Sequence, residues 1–268
     1  MNPGSGPATA PAPKRKGKVI SDLLFRFYRG SLSRFYNYHF YRIHKFVQKV
    51  AASVRPGDTL LDVGAGDCQY KPYFAGKCKY MSQDVGGRDI WFTYDQIDIR
   101  SEIYEIPLPN ESVDVILCTQ VMEHLKYPIK ALAEMYRLLK PGGRLCITVP
   151  FAADEHMIPY DYFRYTRFAW DFMLQDQGFL PPEVSPQGGR FIYMGKNIKD
   201  LFPLLTPKLW LARTIWLVQA PIVVPVLFVL YFLDKIDKNK YLTHNYDVIA
   251  QKPLKPAGST AKTTSAST

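Results

Sequence analysis

The sequence predicts a doubly wound α/β fold, in which a parallel sheet is covered by helices on both faces. Two observations lead to this prediction. Apolar runs of strand length, such as 113–118, alternate with segments whose apolar residues recur at helical spacing, such as 131–139. An earlier apolar run ends directly in a glycine turn at 64–66. Strands and helices that alternate in this way form a parallel sheet buried on both sides.

The first predicted strand leads into a turn with an acid and two close glycines, Asp62-Val63-Gly64-Ala65-Gly66. Glycine permits a positive φ and lets a ligand approach the main chain where a Cβ would collide. A second apolar segment ends near Asp84, about 20 residues further on, which is the spacing at which an acid binds ribose hydroxyls. The pattern favours an adenosine ligand, while a purely structural turn is the plainer interpretation of the two glycines alone.

The middle of the chain continues the alternation. A turn-rich loop at 106–112 precedes the apolar run at 113–118, which has the length of a buried parallel strand. An amphipathic helix follows, and Lys140-Pro141-Gly142-Gly143 ends it before a further strand at 144–149. These elements place two more strands in the predicted sheet.

In this order, the segments resemble the class I S-adenosylmethionine-dependent methyltransferases, in particular the large group with an Asp-x-Gly-x-Gly turn and a Glu-His-Leu helix start, here 123–125. The resemblance covers residues 55–151 and implies S-adenosylmethionine as the cofactor. It also implies a Rossmann-like sheet of seven strands whose last strand, 246–252, is antiparallel. Many members carry a third glycine where this chain has Cys68. The subgroup that the chain resembles is found in bacterial surface-glycan and lipid gene clusters.

The resemblance assigns cofactor contacts to four segments. They are the glycine turn, the ribose-binding acid, the acid that contacts the adenine amine, and the loop beside the methionine end of the cofactor. The residues implied are Asp62, Gly64, Ala65, Gly66, Asp84, Val85, Asp98, Ile99, Thr119, Gln120 and His124. A plainer interpretation of His124 and its neighbour Glu123 is that they cap or pack a helix.

The polar and aromatic segment 154–166 resembles the substrate loop of the same glycan-cluster methyltransferases, and ligands of such sheets bind outside the carboxyl ends of strands. Methyl transfer requires an aligned nucleophile, and a hydroxyl acceptor must also lose its proton. We expect His156 to be the base and Asp161 to orient it or replace it. We expect Arg164 to clamp a substrate anion, and we group Tyr165 with these catalytic candidates.

The same loop residues also have a structural interpretation. Asp161 and Arg164 would form an ion pair within the loop, and Thr166 would cap the helix that follows. The four cysteines show no CxxC or Cys/His ligand spacing, which favours buried thiols in a reducing compartment. The sequence therefore predicts no metal site.

Basic residues concentrate near the amino terminus. The chain carries a net charge of +10, and between residues 14 and 49 ten Lys and Arg face a single acid, Asp22. Aromatic residues are interleaved with these charges, a composition that suits the headgroup interface of an anionic membrane. A single-stranded nucleic acid is an alternative partner, and a helix that closes over the active site is another interpretation.

A long uncharged run lies near the other end of the chain. Thr214–Leu233 contains 20 residues without a charge, a length that can span a bilayer. Pro221 and Pro225 interrupt it, and the strand predicted at 246–252 must return to the same sheet. We therefore expect a re-entrant or monotopic helical hairpin, which makes nucleic acid an unlikely partner. Two membrane passes and a buried or dimerisation helix are the alternatives.

These observations predict five regions. They are a disordered basic amino terminus (1–18), a basic aromatic helical region (19–54), a methyltransferase domain (55–196 and 241–252), a hydrophobic membrane-binding insertion (197–240) and a disordered tail (253–268).

The expected function is O-methylation of a hydroxyl on a lipid-linked sugar or other amphiphile, at the cytoplasmic face of a membrane. Methylation of a prenylated quinone or another hydrophobic ring is the first alternative. A membrane-docked protein that binds S-adenosylmethionine without catalysis is the second. The sequence leaves the oligomeric state open.

Overall fold

The computed structural model describes residues 33–87, 94–204 and 222–254, which form a seven-stranded sheet in the order β3-β2-β1-β4-β5-β7-β6. The strands are β1 (Thr59–Val63), β2 (Lys79–Asp84), β3 (Ile99–Arg100), β4 (Val113–Thr119), β5 (Leu139–Pro150), β6 (Glu183–Gln187) and β7 (Asn245–Gln251). Strand β7 runs antiparallel to both of its neighbours, and the other pairs are parallel. The predicted α/β sheet with an antiparallel last strand is confirmed.

Helices cover both faces of this sheet. The helices of the described residues are α1 (Ser33–Tyr36), α2 (Tyr38–Ser53), α3 (Lys71–Phe74), α4 (Pro128–Leu138), α5 (Arg167–Asp176), α6 (Arg190–Leu204) and α7, which covers 222–233. Leu60 and Leu61 are adjacent in β1 and belong to two different buried clusters, one on each face. Because β1 is buried on both faces, the successive residues Leu60 and Leu61 are both apolar, which explains the continuous apolar run in the sequence.

Two element boundaries differ from the sequence prediction. The Glu-His-Leu segment forms a short 3-10 turn, Met122–His124, and the helix begins only at Pro128. Strand β5 starts at Leu139, which pairs with Val113, and the register then shifts before Arg144 pairs with Val115. The residues predicted as a turn are therefore an irregular first part of the strand.

Helix α2 places part of the basic aromatic region in the core of the domain. Ile43, Phe46, Val47 and Val50 are buried on its inner face, against β1 and β4. The described part of the predicted helical region is helical from Tyr38 to Ser53, and this helix covers the sheet. Residues 19–32 lie outside the described part of the chain, as do the predicted disordered segment 1–18 and most of the predicted tail.

Helix α6 runs unbroken from Arg190 to Leu204, so the boundary predicted between residues 196 and 197 falls inside a helix. Helix α6 begins at Arg190, before the predicted boundary, because carboxylates that follow α7 accept hydrogen bonds from the first backbone N–H groups of α6. Asp234 accepts from Gly189 and Ile192, and Asp237 accepts from Arg190. These bonds fasten α6 and α7 together.

Helix α7 also packs side by side with α6. A Cβ built on Gly195 of α6 would lie 3.0 Å from Leu227 of α7, so the two helices are in close contact there. Residues 205–221, which include the first part of the uncharged run, lie outside the described residues. Within the described ranges, none of the helices combines the length and the apolar character needed to cross a bilayer.

The cap on α6 predicts the effect of removing one carboxylate. Asp234 is 5% exposed and also pairs with Lys240. Asp234→Ala leaves buried donors without an acceptor, so we expect the free energy of unfolding to fall by about 2 kcal/mol or more in chemical denaturation. The control is Asp171→Ala, whose exposed carboxylate only binds Gln175 one turn away, and we expect a change within about 0.5 kcal/mol. Equal losses in the two variants would contradict the capping role.

Candidate functional site

The glycine turn after β1 is held between two neighbouring strands. Gly64 and Gly66 have φ values of +68° and +56°, which disfavour any residue with a Cβ. The N–H groups of Gly64 and Ala65 donate to the carbonyl of Gln83 at 2.8 and 3.0 Å. On its other side the turn touches the loop after β4, because a Cβ on Gly64 would lie 2.5 Å from Val121. Glycine is therefore required by both conformation and space.

Two of the predicted cofactor acids hold this edge of the sheet in shape. The carboxylate of Asp84 accepts hydrogen bonds from the N–H groups of Gly66 at 3.0 Å and Gly86 at 2.8 Å. The carboxylate of Asp98 accepts from the backbone N–H and the hydroxyl of Ser82, at 2.9 and 2.8 Å. Asp84 faces the turn directly, whereas Asp98 links β2 to the segment that leads into β3.

Asp62 lies beneath the turn, fully buried at the end of β1. The hydroxyl of Tyr80 donates to its Oδ2 at 2.6 Å, and Oδ1 has no hydrogen-bond partner among the described residues. Burial raises the pKa of Asp62 to about 7. The structure thus places this acid under the turn as support.

A cleft opens at the carboxyl ends of β1, β2 and β4, the position where open parallel sheets bind ligands. Six of the predicted cofactor residues line it: Gly64, Gly66, Asp84, Val85, Gln120 and His124. The other five predicted residues are not part of this lining: Asp62, Ala65, Asp98, Ile99 and Thr119. The lining also includes residues that sequence reasoning did not assign: Gln83, Tyr94, Glu102, Ile103, Val121, Leu125 and Met157.

Some of the lining residues that were not predicted lie next to a recognisable sequence motif. Gln83 directly precedes the ribose-type acid Asp84, and Val121 and Leu125 flank the Glu-His pair of the motif. Tyr94 and Met157 lie in irregular segments, where no periodic pattern marks a side chain as facing a cleft.

A compact cluster of Glu123, His124 and His156 adjoins the cleft. Glu123 is fully buried, and neither carboxylate oxygen has a hydrogen-bond partner within the described residues. The Nε2 atoms of His124 and His156 lie 3.6 and 3.7 Å from its Oε1. The two imidazole rings meet edge to face, with centroids 4.8 Å apart. Since His124 also lines the cleft, the cluster and the cofactor cleft share a side chain.

Main-chain hydrogen bonds bring the loop after β5 onto this cluster. The N–H groups of Tyr162 and Phe163 donate to the carbonyl of Glu123, at 2.9 and 3.2 Å. The hydroxyl of Tyr165 donates to the carbonyl of Met122 at 3.1 Å. The loop is therefore clamped to the 3-10 turn, although the two segments are distant in sequence.

Asp161 lies beside His156 in the loop. Its carboxylate accepts the backbone N–H of His156 at 2.9 Å and lies 3.3 Å from the Nδ1 atom of the same histidine. Arg164 donates to both oxygens of this carboxylate at 2.6 Å and lowers the pKa of Asp161 to about 2. Glu123, on the other side of the ring, raises the pKa of His156.

Arg164 and Tyr165 lie elsewhere than their predicted roles require. The guanidinium of Arg164 is bound to Asp161 and to loop carbonyls, so it holds the loop and does not face the cleft as an anion clamp. Tyr165 is buried and packs against Trp170 in the core, with the two rings tilted by 47°, so it does not face the cleft. Thr166 caps α5 by accepting from the N–H of Ala169. The structure therefore shows the ion pair between Asp161 and Arg164 and the helix cap at Thr166 that the structural interpretation of the loop describes.

Comparison with known proteins agrees with this geometry. Residues 61–147 match the family described as a methyltransferase domain. A protein of Mycolicibacterium smegmatis, described as a probable S-adenosylmethionine-dependent methyltransferase, is 32% identical over 125 residues, which are 42% of this chain and 46% of that protein. The ubiquinone/menaquinone biosynthesis C-methyltransferase UbiE of Pseudoalteromonas translucida is 35% identical over 108 residues, which are 39% and 38% of the two chains. The chain thus spans less than half the length of either relative.

The fold also has a solved counterpart with a bound nucleoside. The structure of phosphoethanolamine N-methyltransferase 2 from Haemonchus contortus, in complex with phosphomonomethylethanolamine and S-adenosylhomocysteine, superposes with a TM-score of 0.53. The identity is 14%, and the superposition covers 80% of this chain and 53% of that one. At this identity the likeness concerns the fold.

The contact between Gly64 and Val121 predicts that a single methyl group impairs cofactor binding. Gly64→Ala and Gly76→Ala both place alanine at a φ near +70°, at a shared cost of about 1–2 kcal/mol. A Cβ at Gly76 meets nothing within 4 Å, so only Gly64→Ala distorts the cleft. In calorimetric titration we expect S-adenosylhomocysteine to bind at least about 10-fold more weakly to Gly64→Ala, a loss of about 1.4 kcal/mol, and unchanged to Gly76→Ala. Equal affinities would refute the steric argument.

Proposed function

Because the chain contains a class I S-adenosylmethionine-dependent methyltransferase domain, we propose that it transfers a methyl group to a hydroxyl of a lipid-linked sugar or another amphiphilic acceptor. S-Adenosylmethionine is the cofactor. The observation that carries the proposal is the position of His124, which lines the cofactor cleft and belongs to the cluster with Glu123 and His156. A hydroxyl presented at the cleft would meet this cluster.

The cluster suits an oxygen acceptor for a chemical reason. Methyl transfer is an in-line displacement, so the protein mainly has to align the acceptor with the sulfonium methyl. A hydroxyl must also lose its proton, and positioned acid–base groups accelerate such steps by about 10²-fold or more. The side chain of His156 is 39% exposed beside the fully buried Glu123, so an acceptor can approach the cluster from the side of the loop.

The exposed apolar face of α7 supports an amphiphilic acceptor at a membrane surface. Its side chains and those just after it include several that are about half exposed or more: Ile222, Phe228, Val229, Phe232 and Ile236. Such a patch marks an interaction surface when it is contiguous. The basic segment 14–49 supplies positive charge that would favour the anionic lipids of a cytoplasmic leaflet.

Methylation of a prenylated quinone ring is the second candidate, and the similarity to UbiE favours it. Here the acceptor atom is carbon, so the cluster would matter less. The two candidates are separated by labelling with S-adenosylmethionine that carries an isotopic methyl group. A sugar O-methyl group would be recovered from the hydrolysed glycan, whereas a ring methyl group would stay with the organic-soluble quinone.

The proposed oxygen acceptor predicts the effect of His156→Ala. We expect methyl transfer to membrane-lipid extracts to fall by about 10²-fold or more, while S-adenosylhomocysteine binds with unchanged affinity. Glu155→Ala is the matched control, because Glu155 is the exposed neighbour of His156 in the same loop and should retain full activity. Turnover of His156→Ala within a few fold of the wild type would argue against a role of the cluster in deprotonation.

The proposed membrane surface predicts that charge on α7 weakens lipid binding. We expect the double variant Val229→Asp with Phe232→Asp to bind vesicles containing anionic lipid at least about 10-fold more weakly in co-sedimentation, because carboxylates resist transfer into the interface. Leu180→Asp, an exposed apolar position beside β6, is the control and should bind as the wild type does. Unchanged binding of the double variant would locate the contact away from α7.

A further inference from the structure

Three potential metal ligands converge beside the cofactor cleft. One ligand atom from each of Glu123, His124 and His156 lies within 4.8 Å of the other two. The separations from the Glu123 Oε1 atom to the two Nε2 atoms, 3.6 and 3.7 Å, are too long for hydrogen bonds. A metal ion held tetrahedrally at about 2.0–2.2 Å by nitrogen and oxygen ligands separates those ligands by about 3.3 Å. Side-chain rotations that shorten these two separations, and bring the two Nε2 atoms closer than their present limit of 4.8 Å, would complete the site.

The outer nitrogen of each histidine is already engaged. Nδ1 of His124 lies 2.8 Å from the carbonyl of Tyr160, and a carbonyl can only accept, so this nitrogen carries the proton. Nδ1 of His156 lies 3.1 Å from the carbonyl of Asp154 and 3.3 Å from the carboxylate of Asp161. In the neutral rings both Nε2 atoms then present lone pairs toward Glu123. Metal-binding histidines show this arrangement, with Nδ1–H bound to a carbonyl or carboxylate.

Glu123 supplies an independent observation. It is fully buried, and both of its oxygens lack a hydrogen-bond partner within the described residues. A buried carboxylate in this state is strongly unfavourable unless a cation compensates its charge. If the two Nε2 atoms carry lone pairs, they cannot donate to it.

We propose that Glu123, His124 and His156 bind a divalent transition-metal ion, with Zn²⁺ as the best match to two imidazoles and one carboxylate. Three protein ligands leave a further coordination position open, which is the arrangement of catalytic rather than structural zinc sites. The partly exposed His156 places this open position toward solvent and the loop. Sequence reasoning predicted no metal site because it rested on the spacing of the cysteines. Glu123 and His124 are adjacent and His156 follows in another loop, so these ligands form no regular spacing.

The chemical role of the ion rests on the proposed function. A hydroxyl bound at the open position would become more acidic, and its proton would leave to water. The oxygen would then form a bond to the methyl carbon while the carbon–sulfur bond breaks. The electron pair stays on sulfur, and S-adenosylhomocysteine is released. His156 would in this case act as a ligand, and the metal would make the hydroxyl acidic.

The test measures metal binding directly on the full chain, after removal of metals with a chelator. Zn²⁺ affinity is measured by competition with a chromophoric chelator, and Co²⁺ is added separately to record its visible absorption. We expect one Zn²⁺ per chain and a Co²⁺ spectrum without thiolate charge-transfer bands, which excludes the cysteines as ligands.

The variants compared are His124→Ala, His156→Ala and Glu123→Gln. Each should bind Zn²⁺ at least about 100-fold more weakly, a loss of about 2.7 kcal/mol. Glu155→Gln is the matched control and should bind Zn²⁺ as the wild type does. Since Glu123 is buried and its variant can misfold, the partly exposed His156→Ala is the decisive one.

Titration with S-adenosylhomocysteine on the same samples separates this proposal from the proposed function. Zn²⁺ binding lost in His156→Ala with nucleoside binding retained would support the metal site. A wild-type protein that binds the nucleoside but no Zn²⁺, or variants that bind Zn²⁺ as the wild type does, would overturn the metal site alone. Zn²⁺ binding without nucleoside binding would leave the metal site and overturn the proposed function.

Discussion

The candidate site depends on one set of hydrogen bonds to main-chain carbonyls, which join the loop after β5 to the 3-10 turn after β4. The carbonyl of Glu123 accepts two N–H groups of the loop, and the carbonyl of Met122 accepts the hydroxyl of Tyr165. Because β4 and β5 are neighbours in the sheet, their carboxyl ends deliver these segments to the same edge. The loop can therefore place His156 beside a buried carboxylate that belongs to a different strand connection.

The segment between β4 and α4 serves the cofactor cleft and the cluster at once. Val121 packs against Gly64 of the glycine turn, and Glu123 is the buried member of the cluster. His124 lines the cleft and also belongs to the cluster. A short turn with three such contacts has little freedom to move. The geometry of the cofactor cleft and that of the Glu123, His124 and His156 cluster are thus coupled through a few residues of backbone.

The features of the site that can be predicted from the sequence are those with a fixed local spacing. The glycine turn and Asp84 are predictable because a turn with positive φ and an acid at the end of the next strand are both local patterns. The roles of Arg164 and Tyr165 are not, because they depend on which groups face the loop after folding. The start of α6 is also beyond sequence patterns, since its cap, Asp234, is 45 residues away from Gly189.

We expect the cleft to hold S-adenosylmethionine against the edge formed by the glycine turn and Asp84. Isothermal titration calorimetry with S-adenosylhomocysteine, on the wild type and on Asp84→Ala, tests it most directly. We expect micromolar binding by the wild type, and at least about 100-fold weaker binding when the carboxylate that shapes the turn is removed. Absence of binding to the wild type, or equal affinity in the two proteins, would contradict it.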